Sequence, residues 1–145
     1  MKTKKILVGT LTGTVALFFI GWGIYGAALG DYMDAHMNNP AARPMDQMVM
    51  WAMVLSNFMA ALLLTLIIDW SGNNSAMGGA RVGVIVGALS ALSYDLSAYS
   101  MSTMFLGMSV IAVDAIAYAV MLGIGGAIVG FAMQKAGAPD VAAAS

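Results

Sequence analysis

The sequence has no cysteine and no glutamate, one histidine, three prolines and only 9% charged residues. Each shortage closes off some chemistry. Without Cys there is no disulfide, no thiolate metal ligand and no cysteine nucleophile. A single His, His36, excludes a multi-histidine metal or haem site and leaves no credible Ser-His-Asp hydrolase. Six basic residues against seven acidic ones give a net charge of −1, so no basic footprint for nucleic acid exists. Soluble domains carry about 25% charged residues, which places this chain outside that class.

What is abundant points to the membrane. Hydrophobic residues make up 61% of the 145, with 17 Gly and 14 Met. A membrane-spanning helix needs about 20 consecutive apolar residues, and the chain holds four such runs. They predict an all-α integral membrane four-helix bundle with spans at about 6–30, 46–70, 77–100 and 105–133. Residues 1–135 then form one transmembrane domain, and 136–145 a flexible small-residue tail. The first run follows Lys2, Lys4 and Lys5 and resembles a secretory signal at Ala28-Leu29-Gly30. Its apolar core is too long for one, since signal cores run to about 7–15 residues, and it reads as a retained helix. Membrane barrel strands would alternate in polarity, and these runs do not.

Orientation follows from the basic residues. Four spans put Lys2, Lys4, Lys5, Arg81 and Lys135 on one side and Arg43 on the other. Both termini are therefore expected in the cytoplasm. Trp51 and Trp70, near opposite ends of the second span, suit interfacial anchoring.

Glycines at four-residue spacing, Gly79/Gly83/Gly87 and Gly126/Gly130, predict close helix packing, because small residues let backbones approach in lipid. The run of three makes the third span either the packed centre of the bundle or a dimer face. The methionines are scattered and read as gap-filling side chains rather than a copper site.

Two aspartates sit inside the apolar runs, Asp95 and Asp114. Ionisable groups at membrane depth are expensive and default to a functional hypothesis. Counting roughly 1.5 Å per residue from the outer helix ends, Tyr25 lies about 9 Å deep, Asp95 about 8 Å, and Asn57 and Asp114 about 15 Å. An outer-half polar layer of Tyr25, Asn57, Asp95, Asp114 and Tyr118 is expected, with Asp114 the deeper acid and Tyr118 on its face at i+4. Three readings stay open: the acids bind an ion or proton, they hydrogen-bond structurally across helices, or Asp95 is interfacial. Above the layer, Asp31, Asp34, His36 and Asp46 form an acidic loop. The imidazole and carboxylates there have the character of a divalent-ion site, but a lone loop His reads as solvated, and no metal or cofactor is expected.

Gly21-Trp22-Gly23-Ile24-Tyr25-Gly26, followed by a polar outer loop and three further spans, resembles a family of small bacterial membrane proteins, domain of unknown function 1761. The likeness extends over almost the whole chain, although Gly26 stands where such proteins often carry Pro. It implies the four-helix layout and a bacterial inner-membrane location, and no activity. Three function classes follow. The first is a non-enzymatic packing protein that forms a homo-oligomer or joins a larger membrane complex. The second is a small ion- or proton-coupled transporter using Asp95 and Asp114. The third is a membrane enzyme acting on a lipid or quinone. Absence of catalytic motifs leans against an enzyme.

Overall fold

In the computed structural model, residues 2–137 are described. The tail expected over 136–145 lies mostly outside them, although Ala136 still belongs to the last helix. Four helices are long and apolar enough to cross a membrane. Helix α1 runs Lys2–Gly21 and continues as a π-helical segment, Trp22–Ala28. A short helix α2 (Gly30–His36) follows, then a 3-10 turn at Met45–Gln47. Helices α3 (Met50–Ser71), α4 (Ala76–Met101) and α5 (Met108–Ala136) complete the chain. Among the described residues there is no strand, only an isolated bridge between Met37 and Phe105. The molecule is an all-α, multi-pass four-helix bundle.

Local chemistry sets the helix ends. Gly72, at φ 71°, closes α3 in the left-handed conformation that Gly adopts without a Cβ clash. Three residues later the Ser75 hydroxyl caps α4, accepting from the Gly78 N–H at 3.0 Å. The turn between α4 and α5 is longer than the sequence suggests, because Gly107 is extended and α5 starts only at Met108. Residues 31–47, expected as loop, contain α2. Its apolar Met33 is buried beside Phe105, Val110 and Ile111, and this burial holds the short helix in place.

Packing corrects one expectation. The central helix is α5, not α4. One face of α5 meets α4 and another meets α1, which packs in turn on α3. On the α4 side the backbones touch directly. A methyl group at Gly79 would overlap the Gly126 carbonyl, one at Gly83 the Leu122 carbonyl, and one at Gly130 the Ser75 carbonyl. On the α1 side, Gly13 meets Val129 and Ala61, Gly9 meets Thr65 and Met133, and Gly125 receives Leu17. The core is Leu17, Ala61, Leu64, Ile68, Leu122, Val129 and Met133. Helices α3 and α4 flank this centre and barely touch each other, leaving much of each exposed.

Both described ends lie on one side. The Lys5 side chain reaches the Gly137 position, and Lys2 Nζ is 3.5 Å from Asp69 at the end of α3. The opposite side carries α2 and the 102–107 turn. The two are tied by backbone hydrogen bonds, Asn38 N–H to Met104 O at 2.7 Å and Leu106 N–H to His36 O at 3.2 Å.

Candidate functional site

Asp95 is buried by register. Gly79, Gly83, Gly87, Ala91 and Asp95 recur every four residues, and all five are buried. The first three form the seam with α5, so Asp95 stands at the far end of the same seam. The α4/α5 register sets Gly79 against Gly126, Gly83 against Leu122, and Gly87 against Tyr118. Continued by one turn, it brings Ala91 level with Asp114. The small side chain of Ala91 leaves room for the acid across the seam. Asp95 lies one turn further along, about 6 Å in axial offset.

Asp95, Asp114 and Tyr25, from α4, α5 and the continuation of α1, line one pocket at this end of the seam. Tyr25 owes its position to the π-helical segment. Gly9, Gly13 and Leu17 are the buried face of α1. Eight residues beyond Leu17, a regular α-helix would carry Tyr25 about 80° further around. The wider turns of the π segment, closed by Leu29 N–H to Ile24 O at 2.7 Å, hold Tyr25 on the inward face. Such segments are frequent at functional sites.

Depth is the second correction. Asp95 is the more buried acid, with 1% of its surface accessible, and Asp114 is half-buried. Each lies six residues from the nearer end of its helix, Met101 or Met108, or about 9 Å. The sequence count set the last helix three residues too early and so placed Asp114 too deep. Tyr118 sits beside Asp114 and Tyr25 at the base of the cluster. Asn57 does not join it. Its amide donates to the Met53 carbonyl of its own helix at 2.9 Å, and α3 contributes nothing to the site.

Above the carboxyls is a pocket of about 360 Å³. Asp95 and Asp114 form its floor with Tyr25, and Asp34 on α2 stands at its mouth. Its walls are Met33, Met37, Met104, Phe105 and Tyr94. Asp95 Oδ2 is buried without a hydrogen-bond partner, a condition shared by Thr10 Oγ1 and Asn74 Oδ1. Of those three residues, only Asp95 lines this pocket. A buried polar atom left unpaired costs about 1–3 kcal/mol, so it asks for a bound group.

The rest of the acidic loop splits. Asp31, Asp34 and Asp46 are all exposed, and of the three only Asp34 lines the pocket. His36 stacks on Tyr32 with ring centroids 4.2 Å apart, and its Nδ1 is 2.9 Å from the Tyr32 carbonyl. Among the described residues no three Asp or His groups gather as metal ligands. Neither Tyr94 nor the methionines were expected at the site, the methionines reading in sequence as packing. Tyr94 neighbours Asp95, and that adjacency was the available signal.

No family model, curated protein or solved structure matches the chain.

Proposed function

We propose that the protein is a small membrane protein of cation- or proton-coupled transport in which Asp95 and Asp114 are the binding pair. One observation carries this reading: a fully buried, unpartnered carboxylate oxygen at the floor of a pocket beside a second carboxyl. Two adjacent carboxyls hold either a proton or a cation between them, and exchange of one for the other is the elementary step of coupled transport. Tyr25 supplies a hydroxyl in the same lining that can donate to Asp114 when that carboxyl is charged. Structural aspartates have their oxygens satisfied by protein donors; Asp95 Oδ2 has no hydroxyl, amide or cationic partner, which leaves a proton shared with Asp114 or a bound cation to satisfy it.

Basic residues at the Lys2/Lys135 end favour both termini in the cytoplasm. The pocket then opens to the outside of a bacterial inner membrane, the location that the resemblance to domain of unknown function 1761 implies. That kinship is itself a proposal resting on Gly21–Gly26 and the helix layout. The test is flux. In proteoliposomes carrying an internal pH dye, a gradient of Na⁺, K⁺ or a quaternary ammonium should drive proton movement, and Asp114→Asn should abolish it while the protein stays folded. Equal flux in wild type and variant would refute the proposal.

A second reading has an observation of its own. Ser90, Ser93, Tyr94 and Ser97 line a shallow groove on α4 that no other helix covers. Hydroxyls in a span associate with those of a neighbouring helix, which favours homo-oligomer formation or docking in a larger complex. The chain lacks Cys, so Ser93→Cys is a clean crosslinking probe. Disulfide dimers in native membranes support self-association; monomer alone excludes a symmetric contact at this face.

A further inference from the structure

We infer that the pocket takes an organic ammonium with an apolar body, rather than a bare metal ion. This rests on the proposed cation role of Asp95 and Asp114 and names the class of cation. Charge comes first. The lining contains three carboxyls, Asp34, Asp95 and Asp114, and no Lys, Arg or His. A ligand that fits it carries positive charge.

Size comes next. The cavity measures about 360 Å³, and a water occupies roughly 30 Å³ of liquid. A bare ion would leave most of that space unfilled, while pockets of roughly 300–1,000 Å³ are typical for small organic ligands. Only three neutral polar side chains, Tyr25, Asn39 and Tyr94, accompany the acids. A metal ion needs about six oxygen ligands, and among the described residues no three acidic or His groups converge as metal ligands.

The walls then select the body of the ligand. Phe105 and Tyr94 bring aromatic rings, and three thioethers bring soft, adaptable surface. An ammonium held over aromatic faces gains cation–π attraction, which strengthens when the site is desolvated. Alkylated ammonium groups also need few hydrogen bonds, so charge and aromatic contact suffice to hold them. Asp114, half-buried in the same lining, is the counter-charge at the floor, with the buried Asp95 behind it. The pocket lies near a helix end, so the same group could arrive as a free solute or as a choline-type lipid headgroup.

The experiment is a thermal-shift titration of the full chain in phosphatidylglycerol nanodiscs. The probe is benzyltrimethylammonium, with neopentylbenzene as its neutral isostere and NaCl and KCl as metal-ion arms. The expected result is saturable protection by the ammonium and none by the isostere. Asp114→Asn should weaken binding at least about tenfold. Tyr94→Leu, at an exposed position where folding is safe, should also weaken it about two- to fivefold, the scale of an exposed cation–π contact. Asp114-dependent protection by Na⁺ or K⁺ without protection by the ammonium would overturn this inference and leave the cation reading standing. No protection by any cation would sink both. Equal protection by the isostere would reduce the pocket to an apolar cavity and overturn the inference. Replacing the lipid with phosphatidylcholine distinguishes the source: Asp114-dependent stabilisation by that lipid alone supports the headgroup form of the ligand.

Discussion

At the scale of single residues, the orphaned oxygen of Asp95 decides between a carboxyl that holds the fold together and one kept for a ligand. A structural carboxyl contributes stability, so removing it weakens the protein. A carboxyl held unpaired costs stability until its ligand arrives. Asp95→Ala is therefore expected to leave ligand-free stability within about 1 kcal/mol of wild type, or to raise it. Reversible unfolding in detergent measures this, and a loss of about 3 kcal/mol would point to a structural role. Both aspartates stood out in sequence because an acid inside an apolar run is conspicuous. Their relative burial did not, because depth was counted from helix ends that lay three residues away from where Gly107 allows α5 to start. Asn57 was misplaced for another reason. Linear depth says nothing of rotation, and its amide turns back to its own helix at Met53.

At the scale of elements, the α4/α5 seam explains how a polar site is held in a membrane interior that offers no hydrophobic drive to helix association. The glycine spacing announced close packing. It did not reveal which helix would lie in the middle, because α5 carries glycines on two faces. Gly123 and Gly126 face α4, while Gly125 faces Leu17 of α1. Since Gly83 lies against the Leu122 carbonyl of the same chain, Gly83→Leu should prevent folding rather than merely dissociate an oligomer. Gly83→Ala should cost at least about 3 kcal/mol, the top of the usual range for overpacking, because its methyl meets main-chain atoms of α5 that cannot rotate away. Gly23, with open space around it, is the control, and Gly23→Ala should be tolerated. Circular dichroism and size exclusion of the three variants check this; a folded, monomeric Gly83→Leu protein would contradict the packing. The π segment was invisible in sequence, since its α-helical alternative differs by only about one residue of register across Trp22–Ala28.

At the scale of the molecule, four spans bring both described ends to one side and the pocket to the other. The four-helix layout was legible because run length is a property of whole segments, which tolerates errors of a few residues. The pocket was not, since it draws on α1, α2, α4, α5 and the 102–107 turn at once. A chain without Cys allows single-cysteine mapping. Asn74→Cys should be shielded from a membrane-impermeant thiol reagent in intact cells, while Asn39→Cys should be labelled. The reverse pattern would invert the orientation and leave the site unchanged.

The central claim is that Asp95 and Asp114 exchange a proton for a cation. Difference infrared spectroscopy of the protonated-carboxyl band tests it most directly, at a pH where one carboxyl of the pair holds a proton. Titrating the protein with benzyltrimethylammonium or Na⁺ should remove that band in wild type and leave no difference signal in the Asp95→Asn/Asp114→Asn double variant. A band unmoved by either cation, or one equally removed in the double variant, would contradict the account.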